Sequence, residues 1–403
     1  MRKDLVKYTF EHMKKKFGRN MMTIVSIMIG IMAIFVLMSF GQGLQKYTND
    51  QFQKMGVDKI MIQTKSIGPT GSSPVKFSES DYSYFEKRSE IKEIAKMIIT
   101  TVEIKHSERD RKKKVYLYGI PMDKTQKLAE ETMTFEITEG RDLKKGDDNK
   151  LIVGANYKKE NKVFKEPLRL GDKILVNGET FTVVGFLKEF GNPDDDQAMA
   201  TTMDAAKKLT GRDNYDIMVA RLKNAENTAA TADRLTEAFR KHKGQKEGKE
   251  DFFIQTFEQL LETFGSVIGV LNSILVLIAA ISVVVASTNI LNTLYTSVYE
   301  RTKEIGILKA IGARNSDILF VFTFEATLIG LFGGIFGVVV GWILASLGGI
   351  ITNLIGYGFL QPYFPMWLTI GCLALSTIIG CLSGIFPAIN ASKMNPVDSL
   401  RYE

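Results

Sequence analysis

Cysteine is nearly absent from this chain, with two in 403 residues. Both, Cys372 and Cys381, lie in one apolar run near the C-terminus. On a helix they would face opposite ways and stand about 13 Å apart along the axis, too far for a disulfide. The charged part of the chain has no cysteine at all, so no disulfide framework holds it and it needs a core of its own. Histidine is also scarce: His12, His106 and His242 are scattered through charged or flanking segments. The sequence lacks G-x-x-x-x-G-K-[ST], H-E-x-x-H, C-x-x-C and G-x-S-x-G. No nucleophile sits beside a base. The expectation is a non-enzymatic chain with no catalytic, cofactor-binding or metal-ligating residue, and with no nucleic-acid partner.

Charge is missing in a second, more informative way. Residues 21–40, 264–287, 318–347 and 366–386 are apolar and nearly free of ionisable groups. Each is long enough to span a hydrocarbon core of about 30 Å. Between the first two runs lies an insert rich in charges of both signs, so the mean hydropathy near zero conceals two populations. The first run is preceded by Arg2, Lys3, Lys7, Lys14, Lys15, Lys16 and Arg19. At twenty apolar residues it exceeds a signal-peptide core, and no small-residue cleavage site follows, so a retained anchor is expected. Arg301, Lys303, Lys309 and Arg314 flank the second and third runs, whereas residues 349–365 carry no charge. By the positive-inside rule both termini and the loop after the second run are cytoplasmic, and the large insert is outside.

The expected fold class is therefore membrane α-helical, with four transmembrane helices, two of them extended as a stalk, and one large extracytoplasmic α/β domain. Residues 1–20 read as a cytoplasmic amphipathic basic helix suited to anionic lipid, followed by a first span over 21–43. Residues 44–262 hold the stalk and the outside domain. The second span covers 263–298, a cytoplasmic helix 299–315, the third span 316–348, a short outer loop 349–365 and the fourth span 366–386. A cytoplasmic tail, 387–403, completes the chain. The localisation expected is the cell membrane, multi-pass, with both termini in the cytoplasm.

Thr256 and Gln259 stand in capping-box spacing before an apolar stretch that no proline interrupts until well past residue 299. A helix over 257–299 would be about 65 Å long, enough to protrude beyond a bilayer. The first helix can likewise continue to Met55, with Gly56 as its C-cap, as a second rod beside it. Within the insert, residues 59–64, 98–104 and 114–120 read as strands, and 81–91 and 233–243 as helices. Residues 66–74 form a loop. The charge run 106–114 reads as a solvated hairpin tip, with an anion site as the sharper alternative. Asn177-Gly178 between 173–176 and 180–186 is a strong type I′ hairpin signal. Asp194 to Asp196 read as a polar loop, because the glycine and distal glutamate of a calcium loop are absent.

In the third span Gly333, Gly337, Gly341 and Ala345 recur every four residues, a small-residue ridge for close helix packing. Glu325 lies about two turns inside the same span. A carboxylate there either marks function or bonds a neighbouring helix end. Tyr357, Phe359, Tyr363, Phe364 and Trp367 read as an aromatic belt at the outer surface.

The stretch YERTKEIGILKAIGA, residues 299–313, resembles the cytoplasmic motif of MacB-type ABC transporter permeases, an FtsX- and LolC-like, type VII mechanotransmission family. The ending, FPA at 386–388 through ASKMNPVDSLRYE at 391–403, resembles the same family's C-terminus, and Glu325 with the glycine ridge matches its third span. The resemblance covers the whole chain. It implies a permease that forms a homodimer and works with an ABC ATP-binding subunit, which would bind ATP and Mg. The chain begins almost at the first span, so that subunit is expected to be a separate polypeptide. It also implies motion passed along the stalk to the outside domain, and an extracytoplasmic adaptor protein as a further partner.

Under that resemblance, Glu300, Arg301, Lys303, Glu304, Ile305, Leu308 and Lys309 form the ATPase-coupling helix. Acids near its start and Lys309 near its end suit the helix dipole, and Gly312 can cap it. Ile305 and Leu308, with Ile311 and Gly312, would form the apolar face that docks. The function implied is export of a peptide, antibiotic or lipid-linked substrate. The alternative is an FtsX-like regulator of a cell-wall hydrolase or of envelope signalling.

Overall fold

A computed structural model of the chain describes residues 17–56, 58–65, 74–107, 110–224 and 227–396. The expected N-terminal basic helix, up to residue 16, lies outside them, as do the loop 66–73 and the end of the tail from residue 397. Among the described residues four helices are long and apolar enough to cross a membrane: Asn20–Met55, Phe257–Glu300, Asn315–Ile355 and Met366–Ser392. They are called here the first to fourth membrane helices. The chain divides into two compact units.

The α/β unit comprises Tyr47–Ser266 and Asn353–Phe359. Its strands are β1 (Lys59–Thr64), β2 (Ile91–Lys105), β3 (Lys113–Ile120), β4 (Ile137–Gly140) and β5 (Lys150–Val153). They continue with β6 (Lys173–Val176), β7 (Glu179–Leu187), β8 (Met199–Thr202), β9 (Ile217–Leu222) and β10 (Phe252–Thr256). The sheet runs β10-β1-β9-β2-β3-β8-β5-β7-β4, and β6 pairs with both β2 and β7. Strand β2 spans the two halves: its start pairs with β9 and its end with β3. Phe77, Phe85, Tyr215 and Phe239 fill the core at the β1–β9 end, and Leu117, Tyr157, Phe181 and Met199 fill a second core.

Three expectations are corrected here. The helix expected over 81–91 is shorter and earlier, Glu79–Glu86. A capping box between Ser78 and Asp81 starts it, and the chain from Ile91 is already committed to pairing with β9. The strand expected over 98–104 therefore begins at Ile91. Its first half buries Ile91, Ile94, Ala95 and Met97 without clean alternation, so the period-two signal is weak there. The Asn177-Gly178 turn is present, both residues having positive φ. Pro193–Asp196 is one helical turn rather than a loop. The buried Asp196 carboxylate accepts from the backbone N–H groups of Phe190 (2.7 Å) and Gly191 (3.0 Å).

Both rods are rooted in neighbouring strands. The first membrane helix ends at Met55, with Gly56 at φ 84°, and Lys59 Nζ donates to the Met55 carbonyl at 2.6 Å. The second starts at a reciprocal capping box: Thr256 N–H donates to Gln259 Oε1 (2.9 Å) and Gln259 N–H to Thr256 Oγ1 (3.0 Å). Strands β1 and β10 are antiparallel, and Ile60 stands opposite Thr256. The Phe52 ring meets those of Phe257 and Phe264 at centroid distances of 6.2 and 5.8 Å, so the two rods pack together at their roots.

The helical unit comprises Met1–Lys46, Val267–Thr352 and Leu360–Glu403. Within it the glycine ridge lies on the first membrane helix. A Cβ added at Gly333 would stand 2.7 Å from Cβ of Ile27, at Gly337 2.8 Å from Cβ of Ile31, and at Gly341 3.2 Å from Cδ1 of Phe35. Matching four-residue rows on both helices let the backbones approach. A second row goes unnoticed in the sequence: Gly330 and Gly334 meet Ser376 and Gly380 of the fourth membrane helix. The aromatic belt is only partly one. Phe364 stacks on Phe35 (5.8 Å) rather than facing outward, whereas Trp367 is exposed.

Gly337→Val should cost about 1–3 kcal/mol, because the new side chain meets Ile31 and the Met28 backbone carbonyl. Gly371→Ala, where a Cβ meets nothing within 4 Å, should leave stability unchanged or slightly improved. Melting of the purified protein in detergent distinguishes the two. Equal midpoints would remove the packing role of the ridge.

Candidate functional site

The second membrane helix ends at Glu300, and the chain turns through Arg301 into a short helix, Thr302–Ala310. Arg301 is the N-cap, and its carbonyl accepts the Ile305 N–H at 2.9 Å. At the other end Ala313 N–H returns to the Leu308 carbonyl (3.0 Å) and Gly312 takes φ 101°, a left-handed close that glycine adopts freely. Asp317 accepts the Arg314 N–H at 3.0 Å and so begins the third membrane helix.

This elbow is held by one buried ion pair. Arg301 Nη1 lies 3.0 Å from Glu325 Oε2, and the two residues are 3% and 4% exposed. Arg301 also reaches Glu304 Oε2 at 3.4 Å, and its guanidinium sits 5.3 Å above the Phe322 ring. Glu325, flagged in the sequence as an acid within a span, thus bonds the end of a neighbouring helix. Around the pair Val298, Ile305, Ile318, Phe322, Ala388 and Ala391 form an apolar cluster, with Leu308 packed against it. Lys309 Nζ donates to the carbonyls of Ser392 (2.7 Å) and Met394 (2.6 Å). It thereby puts a cation on the negative end of the fourth membrane helix.

The docking face read from the sequence is therefore divided. Arg301, Ile305, Leu308 and Lys309 are used inside the unit, binding the elbow to the third and fourth membrane helices. Glu300, Lys303 and Glu304 are exposed. The apolar groups that face outward are Ile307 (53% exposed) and Ile311 (78% exposed). Sequence reasoning missed Ile307, although its spacing of four from Ile311 was available. Of the expected ridge residues, Gly333, Gly337, Gly341 and Ala345 are all buried. Among the described residues no group of three or more His, Cys, Asp or Glu side chains is placed to hold a metal ion.

A family profile described as the MacB-like periplasmic core domain matches residues 21–238, and one described as the FtsX-like permease C-terminal matches residues 276–396. An uncharacterized ABC transporter permease of Methanocaldococcus jannaschii is 34% identical over 410 aligned positions, covering 99% of this chain and 98% of that protein. The chain belongs to the MacB/FtsX-like family of ABC transporter permeases. The macrolide export ATP-binding/permease protein MacB of Neisseria gonorrhoeae is 29% identical, covering 95% of this chain. This chain spans only 58% of that MacB's length. Among solved structures, the periplasmic region of MacB from Actinobacillus actinomycetemcomitans covers 53% of this chain and 95% of its own, at 18% identity and TM-score 0.42. In this permease the FtsX-like match contains the entire elbow, from Arg301 through Glu325 to the residues that Lys309 caps.

Glu325→Ala removes the buried partner of Arg301 and leaves it the more exposed Glu304 at 3.4 Å, and should destabilise the protein by up to about 3–5 kcal/mol. Replacing both, as Arg301→Met with Glu325→Leu, should recover most of that loss. A double-mutant cycle on unfolding midpoints checks this, and strictly additive losses would dissolve the pairing argument.

Proposed function

We propose that this chain is the permease subunit of a MacB-like transporter, carrying no catalytic step itself, and that it transmits motion from a separate ATP-binding subunit to its α/β domain. The observation that carries this reading is the elbow. Its helix presents Lys303, Glu304, Ile307 and Ile311 outward, while the Arg301–Glu325 pair and Lys309 fasten its other side to the third and fourth membrane helices. A push on the exposed face therefore moves the helix bundle and not a loose loop. ATP and Mg belong to the partner in this reading, and this chain binds no cofactor.

Both termini and the elbow are assigned to the cytoplasm and the α/β domain to the outside, following the basic flanks. Two copies pair through the first and second membrane helices. In support, only 6% of the apolar window of the second is buried, and Val267, Val270, Ile274, Leu277 and Ile281 are exposed along it. Export of a peptide, antibiotic or lipid-linked substrate, with an adaptor outside, is favoured over hydrolase regulation because the core-domain profile is the MacB-like one.

Ile311→Asp and Ile307→Asp should each weaken retention of the ATPase about tenfold to a hundredfold, since each places a charge in an apolar contact. Neither touches the inward cluster, so both variants should fold and insert normally. Co-purification with the ATPase and permease-stimulated ATP turnover are the measurements. Full retention and turnover in both variants would refute docking through this face.

Orientation has its own test. In a background lacking Cys372 and Cys381, a cysteine at Lys112 should react with an impermeant maleimide on spheroplasts, and one at Asn315 only after lysis. The reverse labelling pattern would invert the assignment.

A further inference from the structure

The α/β unit contains an open-mouthed cavity of about 260 Å³ that the coupling reading does not use. Its wall is built from the rings of Tyr47, Tyr118, Phe135 and Phe190, with Met133 beside them and the Asp195 carboxylate as its one ionisable acid. No lysine, arginine or histidine lines it. The four rings come from separate segments: the end of the first membrane helix, β3, the turn after helix Gln126–Met133, and the turn after β7. Tyr47 Oη donates to the Phe190 carbonyl at 3.2 Å, which ties two of the walls together.

Asp195 is only partly provided for by the protein. It accepts one hydrogen bond, from Asn192 Nδ2 at 2.9 Å, and among the described residues no ion pair is recorded for it. Burial holds its carboxyl above the usual range, and the carboxylates of Asp196 and Asp194 push in the same direction. Its charge also reaches the cavity: the Tyr118 phenol is raised by burial and then by Asp195. A different observation points to the same place. Thr134, in the wall, is β-branched yet held at φ 54°, a conformation such residues rarely adopt. Its Oγ1 is buried with no hydrogen-bond partner among the described residues. The left-handed turn closes helix Gln126–Met133, with the Thr134 N–H donating to the Glu131 carbonyl (3.3 Å) and the Phe135 N–H to the Glu130 carbonyl (3.0 Å), whereas the buried hydroxyl serves nothing in that turn.

We propose that this cavity is a binding site for a small organic ammonium ion, whose charged head meets Asp195 and whose apolar body lies among Tyr118, Phe135 and Phe190. Electron-rich ring faces attract a cation, and a charge-assisted hydrogen bond to a carboxylate is the strong kind. An anion would meet the Asp195 charge with no base to offset it. A neutral apolar molecule would bury that carboxylate further without pairing it. A metal ion would find a single carboxylate in the wall, too few ligands for a hard cation. The size suits one ring and a short amine, not a large macrocycle. This inference stands apart from the coupling reading, since no residue of the elbow enters it.

The test is titration of the full-length protein in nanodiscs with 2-phenylethylammonium and, separately, the neutral 2-phenylethanol, followed by calorimetry and saturation-transfer NMR. Wild type should bind the ammonium saturably and the alcohol at least about tenfold more weakly, the worth of one charge-assisted contact. Asp195→Asn should remove that preference while the alcohol is bound as before. Met133→Trp, which fills the cavity, should abolish binding of both. Melting midpoints of the unliganded variants establish that they are folded. If Asp195→Asn is not folded, Met133→Trp decides the matter. No saturable binding to wild type overturns the proposal, as does an unchanged ammonium preference in Asp195→Asn or unchanged binding in Met133→Trp.

Discussion

The pairing of β1 with β10 is the constraint from which the rest of the α/β unit follows. The two strands are far apart in sequence, yet Ile60 stands opposite Thr256. One strand continues from the first membrane helix and the other leads directly into the second. An antiparallel ladder is stiff against shear along the strands, because sliding by one residue would turn every side chain to the wrong face. Ile60, Ile62, Phe252 and Ile254 are all buried in one core, so such a slip would expose them together. The two rods are thus fixed in register at their roots. Within the proposed reading, displacing either rod loads the same ribbon.

Charge reinforces that root. Lys59 is almost fully buried, caps the first membrane helix through the Met55 carbonyl and pairs with Glu131 at 3.2 Å. Arg221, on the neighbouring strand β9, is bonded to Asp58, Glu93 and Glu131. A cation at a helix C-terminus offsets the dipole there, and each buried charge has a partner, as burial requires. The elbow after the second membrane helix uses the same device: Arg301 is buried with Glu325, and Lys309 caps the fourth. The second membrane helix is thus held at its start by the Thr256–Gln259 capping box and just past its end by the Arg301 pair, while Ala286, Ile290 and Leu294 pack in the core of the helical unit.

Much of this was readable from the sequence, and the physical reason is that strong local signals survive without context. The Thr256/Gln259 capping box, the Asn177-Gly178 turn and Gly56 each act through the backbone of a few adjacent residues, and the structure has all three. The four-residue glycine spacing in the third membrane helix was visible as a ridge, but what lies on it, Ile27, Ile31 and Phe35, is a tertiary fact. The long strand β2 was half missed because a strand buried on both faces loses its alternation. The elbow shows the limit most clearly. A short helix with apolar residues on more than one side cannot reveal which side its own protein will cover. Ile305 and Leu308 were covered, and Ile307 and Ile311 were not.

The same reasoning explains why the direction of the Arg301 side chain was not legible in the sequence and the need of Glu325 for a partner was. An arginine beside acids in a charged loop has many adequate partners in water, so its sequence neighbourhood does not determine its direction. A carboxylate inside an apolar helix has few, and its cost without one is several kcal/mol. Glu325 therefore demanded a cation from somewhere within reach, and the nearest basic residue that ends a neighbouring helix is the one it takes. Once that pair forms, the direction of the elbow helix is set: with Arg301 turned inward, Ile305 one turn later must follow it. Ile307 and Ile311, on the other side, are then left facing out. The exposed face of the elbow is in this sense a consequence of the one buried acid of the third membrane helix, Glu325.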